Sequence, residues 1–285
     1  VKTIEAINSF ALKQYSSMVM PAKIEPQGRI LIFVNMGYGD LVFYLPVLRA
    51  IEKKFETVII LENQVKTNFL RSMGIESSIV KMAYLSSPTV DQKFDTVVCH
   101  WLQQWTPIVR QIIKMRIPCR IGHDWREKYH WLWTHPAHYS ENGHYRFSNE
   151  SLLKPFGLQP VYETVKIENP ISDYEIVIVP NSSEPKRDWP GFNSLYDKLS
   201  PRYRVYKMLN SLPMDVAIRT LAGARLVIGN NSGMPIIADY LRVPAIQIFR
   251  RGEEVTPQIA GLSHGIDFTE PTVDEVYAKV KTILR

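Results

Sequence analysis

Three short segments of the chain carry side chains that could do chemistry together. The first is Gly37-Tyr38-Gly39-Asp40, which follows the apolar run Ile30 to Val34 and opens a helical stripe. A carboxylate on such a turn can act as a general base, taking a proton from an attacking hydroxyl. It can also cap the helix, and capping would hold it in place for that work. Gly37 and Gly39 let backbone approach a ligand closely. The turn is not the dinucleotide fingerprint Gly-x-Gly-x-x-Gly, because Val42 stands at the third glycine position.

The second segment runs from Pro180 to Pro190 and holds Ser182, Ser183, Lys186, Arg187 and Trp189. Hydroxyls followed by two cations suit a phosphate clamp, since hydroxyls donate hydrogen bonds and a guanidinium grips oxygens in pairs. An ordinary solvated loop is the competing reading. The third is Ile228-Gly229-Asn230-Asn231-Ser232-Gly233, closing a strand and opening a helix. The amides and dipole of that helix start favour an anion, with Asn231 and Ser232 as further donors. Simple capping of a tight turn competes with it. A fourth stretch, Arg120 to Arg146, mixes His123, His130, His135, His138 and His144 with Trp125, Trp131, Trp133 and Arg126. It has no paired cysteines and no His-Glu-x-x-His, so a metal centre is not expected. It reads as an aromatic and basic wall for a sugar or phosphate, or as the packing of a loop-rich lid.

The elements that must position these segments alternate strand and helix. Strands are expected at 29–35, 57–61, 78–82, 95–99 and 119–122, with helices over 40–55, 64–73 and 103–116. A second series has strands at 175–180, 203–208, 225–229 and 244–249, and helices over 191–199, 213–223, 232–241 and 273–284. Alternation of this kind builds parallel βαβ units. Pro46 is expected near the first turn of its helix, where a missing N–H is tolerated. The stretch 157–172, with Pro160 and Pro170, reads as a linker. The expected fold class is therefore α/β, with two Rossmann-like domains facing across a cleft. Residues 1–165 form the first, with 1–28 as an extension, and 173–285 form the second.

A formal charge of +6 favours an anionic partner, without choosing among nucleotides, phosphorylated glycans, membrane surfaces and nucleic acid. Two cysteines, Cys99 and Cys119, are too few for a disulfide framework and fit a reducing cytoplasm. No apolar run reaches the roughly 20 residues that span a bilayer.

Taken together, the segments resemble glycosyltransferase family 9, the lipopolysaccharide heptosyltransferases. The match in the first half is Gly39-Asp40 followed by Leu45-Pro46-Val47-Leu48-Arg49-Ala50, then Arg120-Ile121-Gly122, Thr134-His135 and Ser151 to Leu158. In the second half it is Arg187-Asp188-Trp189-Pro190, Ala224 to Gly233, and Val243-Pro244-Ala245. The resemblance implies the GT-B architecture and an inverting, metal-independent transfer of a heptose-like sugar from a nucleotide-diphosphate sugar, with ADP-sugar favoured. No cofactor is implied. Asp40 would be the base. Ser182, Ser183, Lys186, Arg187, Asn231, Ser232 and Gly233 would hold the donor phosphates. Gly37, Tyr38, Gly39, Arg120, His123 and Arg126 would meet the acceptor, a phosphorylated saccharide or glycolipid such as lipopolysaccharide core. Peripheral contact with the cytoplasmic face of the inner membrane follows, and nucleic acid ranks below these partners. Two departures stand out: Asn231 where the family has Asp, and Ile236 where it has His. They keep open a catalytically inactive nucleotide-sugar-binding homologue. A GT-B enzyme acting on modified DNA bases is a further alternative.

Overall fold

The computed structural model describes residues 24–34, 36–61, 65–81, 93–100, 106–123, 132–137, 145–182, 185, 188–209, 211–249, 263–266 and 271–285. Two compact units emerge. The first contains Val1–Met36, Phe43–Thr67 and Ile75–Tyr162; the second contains Glu163–Arg285 together with Gly37–Val42 and Asn68–Gly74.

The first unit is built on six parallel strands: β1 (Ile30–Val34), β2 (Thr57–Leu61), β3 (Ser78–Lys81), β4 (Thr96–Cys99), β5 (Cys119–His123) and β6 (His135–Ala137). Their order is β3-β2-β1-β4-β5-β6, the doubly wound arrangement. β1 is flanked on both sides, with Ile32 opposite Ile59 and Val98. That explains why its five residues are apolar without alternation, since both faces of a parallel sheet are covered. The helices are α1 (Tyr38–Glu52), α2 (Val65–Ser72), α3 (Thr106–Lys114) and α4 (Tyr145–Ser151). On one face Leu31, Phe33, Val97 and Cys99 pack with Ile108, Val109, Ile112 and Ile113 of α3. β6 was not foreseen in the sequence. It is a three-residue edge strand whose central residue, Pro136, is exposed. Pro46 also departs from expectation. α1 starts at Tyr38, so Pro46 falls inside the helix rather than in its first turn. It removes one bond of the helix ladder there.

The second unit has five parallel strands: β7 (Ile176–Val179), β8 (Val205–Lys207), β9 (Leu226–Asn230), β10 (Ala245–Ile248) and β11 (Ser263–Ile266). Their order is β11-β10-β9-β7-β8, with β11 the strand that the sequence reading missed. Its helices are α5 (Phe192–Leu199), α6 (Met214–Gly223), α7 (Gly233–Tyr240) and α8 (Val273–Ile283). Ile176, Ile178, Leu226, Ile228, Ile246 and Ile248 form a core with Phe192, Leu195 and Leu199 of α5 and Val276 and Val280 of α8. α8 begins with a reciprocal capping box between Thr272 and Glu275.

The expected linker is mostly fixed. The Val161 amide donates to the Pro46 carbonyl in the first unit. From Glu163 onward the chain is tied to the second. Tyr240 Oη donates to the Glu163 carbonyl at 2.7 Å, the Ile171 amide to the Arg219 carbonyl, and Arg219 Nε to the Asn169 carbonyl.

Candidate functional site

In open parallel sheets, ligands gather beyond the carboxyl ends of the strands where strand order reverses. In the second sheet that point lies between β7 and β9. The loops leaving these two strands are Pro180–Pro190 and Asn231–Ser232. Asn230, the last residue of β9, is fully buried and joins them. Its Oδ1 accepts from the Trp189 amide at 3.0 Å, and its Nδ2 donates to the Pro180 carbonyl and to Asp188 Oδ1. Asp188 Oδ1 also accepts from the Ser182 amide at 2.8 Å. Trp189 completes the anchor, donating from Nε1 to the Pro271 carbonyl. Sequence reasoning gave neither Asn230 nor Asp188 a role. An Asn at a strand end has many uses, and only the fold reveals that it organises a loop some 40 residues earlier.

Ser232 is the N-cap residue of α7, with extended backbone at φ −151° and ψ 174°. Its side chain does not cap the helix, and its Oγ is buried without a hydrogen-bond partner. The Asn231 amide is occupied by the Ile248 carbonyl, and Pro235 has no N–H to offer. Gly233 and Met234 therefore supply the outward amides of this helix start.

The first turn of α1 packs within the same unit. Gly37 precedes the helix, so Asp40 sits in the first turn and is not the N-cap. The Leu41 amide closes that turn onto the Gly37 carbonyl at 2.9 Å. The carboxylate folds back over Gly37: a Cβ placed there would lie 3.2 Å from Asp40 Oδ2. Negative charge in a first turn is favoured by the helix dipole. Gly39 meets the start of α7. A Cβ on Gly39 would lie 3.0 Å from Ile236 Cδ1 and 3.3 Å from Gly233 Cα, and one on Gly233 would lie 3.1 Å from the Gly39 nitrogen. Two helix N-termini thus meet backbone to backbone, and a Cβ at either glycine would need its neighbour to give by a few tenths of an ångström. Positive dipole ends favour negative charge, and here two lie side by side. Tyr38 flanks the turn, its ring edge-on to Phe69, with burial pushing its hydroxyl pKa up.

The remaining expected residues are placed less uniformly. Asn231 and Ser232 are half-buried at the α7 start, and Ser182 is half-buried beside Asp188. Ser183, Lys186, Arg187 and Arg126 lie outside the described residues, as do His130, His138 and His144. His123 is interior rather than ligand-facing. It is fully buried, with Nε2 2.7 Å from the Ser148 carbonyl. His100, just beyond β4, lies edge-on to it at 4.9 Å, and Tyr44 of α1 lies edge-on to His100 at 5.7 Å. Burial pulls the His123 pKa down to about 4 and that of His100 well below its ordinary value, His123 itself adding to the second shift. Arg120 is interior too, 2% exposed and in register with Val97 rather than at the strand end.

No protein-family model and no curated protein sequence matches the chain. Solved structures do match in fold. The chain is similar to the heptosyltransferase WaaC of E. coli, solved with ADP-2-deoxy-2-fluoro heptose. The TM-score is 0.68 and the identity 14%, over 89% of this chain and 99% of that one. E. coli ADP-heptose lipopolysaccharide heptosyltransferase II matches with a TM-score of 0.73 at 12% identity, over 90% and 98% of the two chains. A family 9 glycosyltransferase from Veillonella parvula matches with a TM-score of 0.70 at 12% identity, over 92% and 99%.

Proposed function

From the fold of the family 9 glycosyltransferases, which this chain has across about nine-tenths of its length, we infer that the protein is an inverting glycosyltransferase. It takes a heptose-like sugar from an ADP-sugar and passes it to a hydroxyl of a phosphorylated saccharide or glycolipid. The observation that carries this reading is the meeting of the Asp40 turn with the Ser232–Gly233 helix start. A base and a diphosphate seat then belong to one site.

Asp40 takes the proton from the acceptor hydroxyl. That oxygen bonds to the anomeric carbon as the bond from this carbon to the nucleotide diphosphate breaks on the opposite face. The sugar passes through an oxocarbenium-like state without a metal, and negative charge accumulates on the departing diphosphate. The Gly233 and Met234 amides, Ser232 Oγ and the Ser182 loop are the donors suited to receive it, joined in sequence by Ser183, Lys186 and Arg187. Fixed donors aimed at developing charge are usually the largest catalytic contribution. Gly37 and Tyr38 border the acceptor hydroxyl. His123, buried with Nε2 against the Ser148 carbonyl, has no part in acceptor binding in this scheme. The relatives of the same fold were solved with ADP and with an ADP-heptose analogue, which supports the donor. Among the described residues no helix is long and apolar enough to cross a membrane. A glycolipid acceptor would be met at the cytoplasmic membrane face.

The test is donor turnover by Asp40→Asn. It should melt within a degree of the parent and bind ADP equally, yet lose about 10²–10⁴-fold in rate. Full turnover by the folded variant ends the assignment. Ile236, packed against Gly39 where the family has His, favours a second reading, a nucleotide-sugar-binding protein without turnover. ADP-sugar binding with neither transfer nor donor hydrolysis by the parent would establish it.

A further inference from the structure

Among the described residues of the first unit, three buried N–H donors on one face of the sheet have no acceptor. Arg120 Nε, Arg120 Nη2 and Trp133 Nε1 are all without hydrogen-bond partners. Arg120 is 2% exposed and Trp133 4% exposed. Both residues are held tightly. The Arg120 amide donates to Thr134 Oγ1 at 2.8 Å, the Thr134 amide donates back to the Arg120 carbonyl at 2.9 Å, and Thr134 Oγ1 donates to the same carbonyl. Trp133 therefore starts beside Arg120. Its indole lies over Gly122, two residues further on the same face of β5, where a Cβ would come within 2.3 Å of the ring.

The chemistry of this arrangement is one-sided. A guanidinium stays charged in proteins and has donors only, and an indole N–H is also a donor only. A buried cation without a counter-charge is strongly unfavourable, so native interiors pair or ligate such groups. Nε and Nη2 are the two nitrogens of one edge of the guanidinium, the edge that holds two oxygens of one oxyanion in parallel bonds. Among the described residues no resolved charge answers it. The apolar residues of that face include Leu31, Val97, Ile108, Val109, Ile112 and Ile113, and among the described residues only the Cys119 thiol has a resolved electrostatic effect on Arg120.

We propose that Arg120 and Trp133 form a buried seat for a compact oxyanion, a phosphate or a phosphate ester, within the first unit. The seat belongs to the first unit and the Ser232–Gly233 helix start to the second, and the proposal stands whether or not the protein transfers sugars.

The experiment is thermal melting of the full chain in sodium phosphate against sodium chloride at matched ionic strength. The parent, Arg120→Met and Trp133→Phe are compared, with glucose 1-phosphate and glucose as parallel arms. Expected is a saturable rise in the parent of about 3 °C. Arg120→Met should lose most of it, and in chloride alone should melt no lower than the parent, because an orphan charge has gone. Trp133→Phe keeps the cation and should need several-fold more phosphate for the same rise; it also serves if Arg120→Met does not fold. A glucose 1-phosphate response at lower concentration than inorganic phosphate assigns the seat to a phosphorylated substrate, and the reverse order assigns it to the free ion. An absent rise in the parent, or an undiminished one in both variants, overturns the proposal. So does an Arg120→Met protein that melts well below the parent in chloride, because the guanidinium would then already be paired within the chain.

Discussion

Acidification should loosen the first unit well before its carboxylates titrate. His100 and His123 face each other in its interior, and their neighbours among the described residues include Tyr44, Cys99, Ser148 and Asn149. None of these offers a negative charge at neutral pH, and burial pushes the Tyr44 hydroxyl and the Cys99 thiol further up. Both histidines are therefore held neutral, with folded-state pKa values below those of the unfolded chain. The unfolded state then binds more protons on the acid side. Stability is fully present above pH 6.5 and falls as pH drops toward the folded value, about 4 for His123. By pH 5 an unfolded histidine has gained about 2 kcal/mol from protonation that the buried His123 ring has not, and His100 adds a contribution of the same sign. That is a large share of the 5–15 kcal/mol typical of a domain. Urea denaturation followed by circular dichroism at pH 7.5, 6.5, 5.5 and 5.0 measures it. The parent midpoint should fall steadily below pH 6.5, whereas a His100→Gln, His123→Gln double variant should give a much flatter profile. An unchanged parent midpoint, or an equal slope in the double variant, would refute the reasoning.

Other perturbations have equally defined outcomes. Asn230→Ala leaves the buried Trp189 amide and Pro180 carbonyl unpaired. It should lose about 1–3 kcal/mol of stability, and ADP binding in a calorimeter should weaken as the 180–189 loop loosens. Gly233→Ala would ordinarily help a helix, but here the new Cβ meets the Gly39 nitrogen at 3.1 Å. A loss of about 1–3 kcal/mol is expected on melting; a gain would show that the two helix starts do not touch. Thr272→Ala removes the capping box of α8. It should lower stability by about 1 kcal/mol and leave ADP titrations unchanged.

The sequence made the second unit easier to read than the first. Strands such as Ile176–Val179 and Leu226–Asn230 are short apolar runs bounded by turn residues, and they form where expected. β6 was illegible because His135-Pro136-Ala137 has neither β-branching nor alternation; it exists through pairing with β5 alone. Asp40 could be read as a candidate from the glycines before it, although a cap position and a first-turn position look the same in one dimension. His123 and Arg120 misled for one physical reason. The resemblance places them by motif order alone, which carries no information on burial, and β5 is buried along its whole length. Asn230 and Asp188 were invisible as a pair because their bond spans 42 positions.

Both sheets finish on abbreviated strands. Residues 78–81 and 135–137 bound the first, 263–266 and 205–207 the second. Pro136 additionally deletes a donor from one rim. Among the described residues a neighbouring polypeptide therefore finds only a few free backbone groups on which to add a strand, which disfavours edge-on self-association.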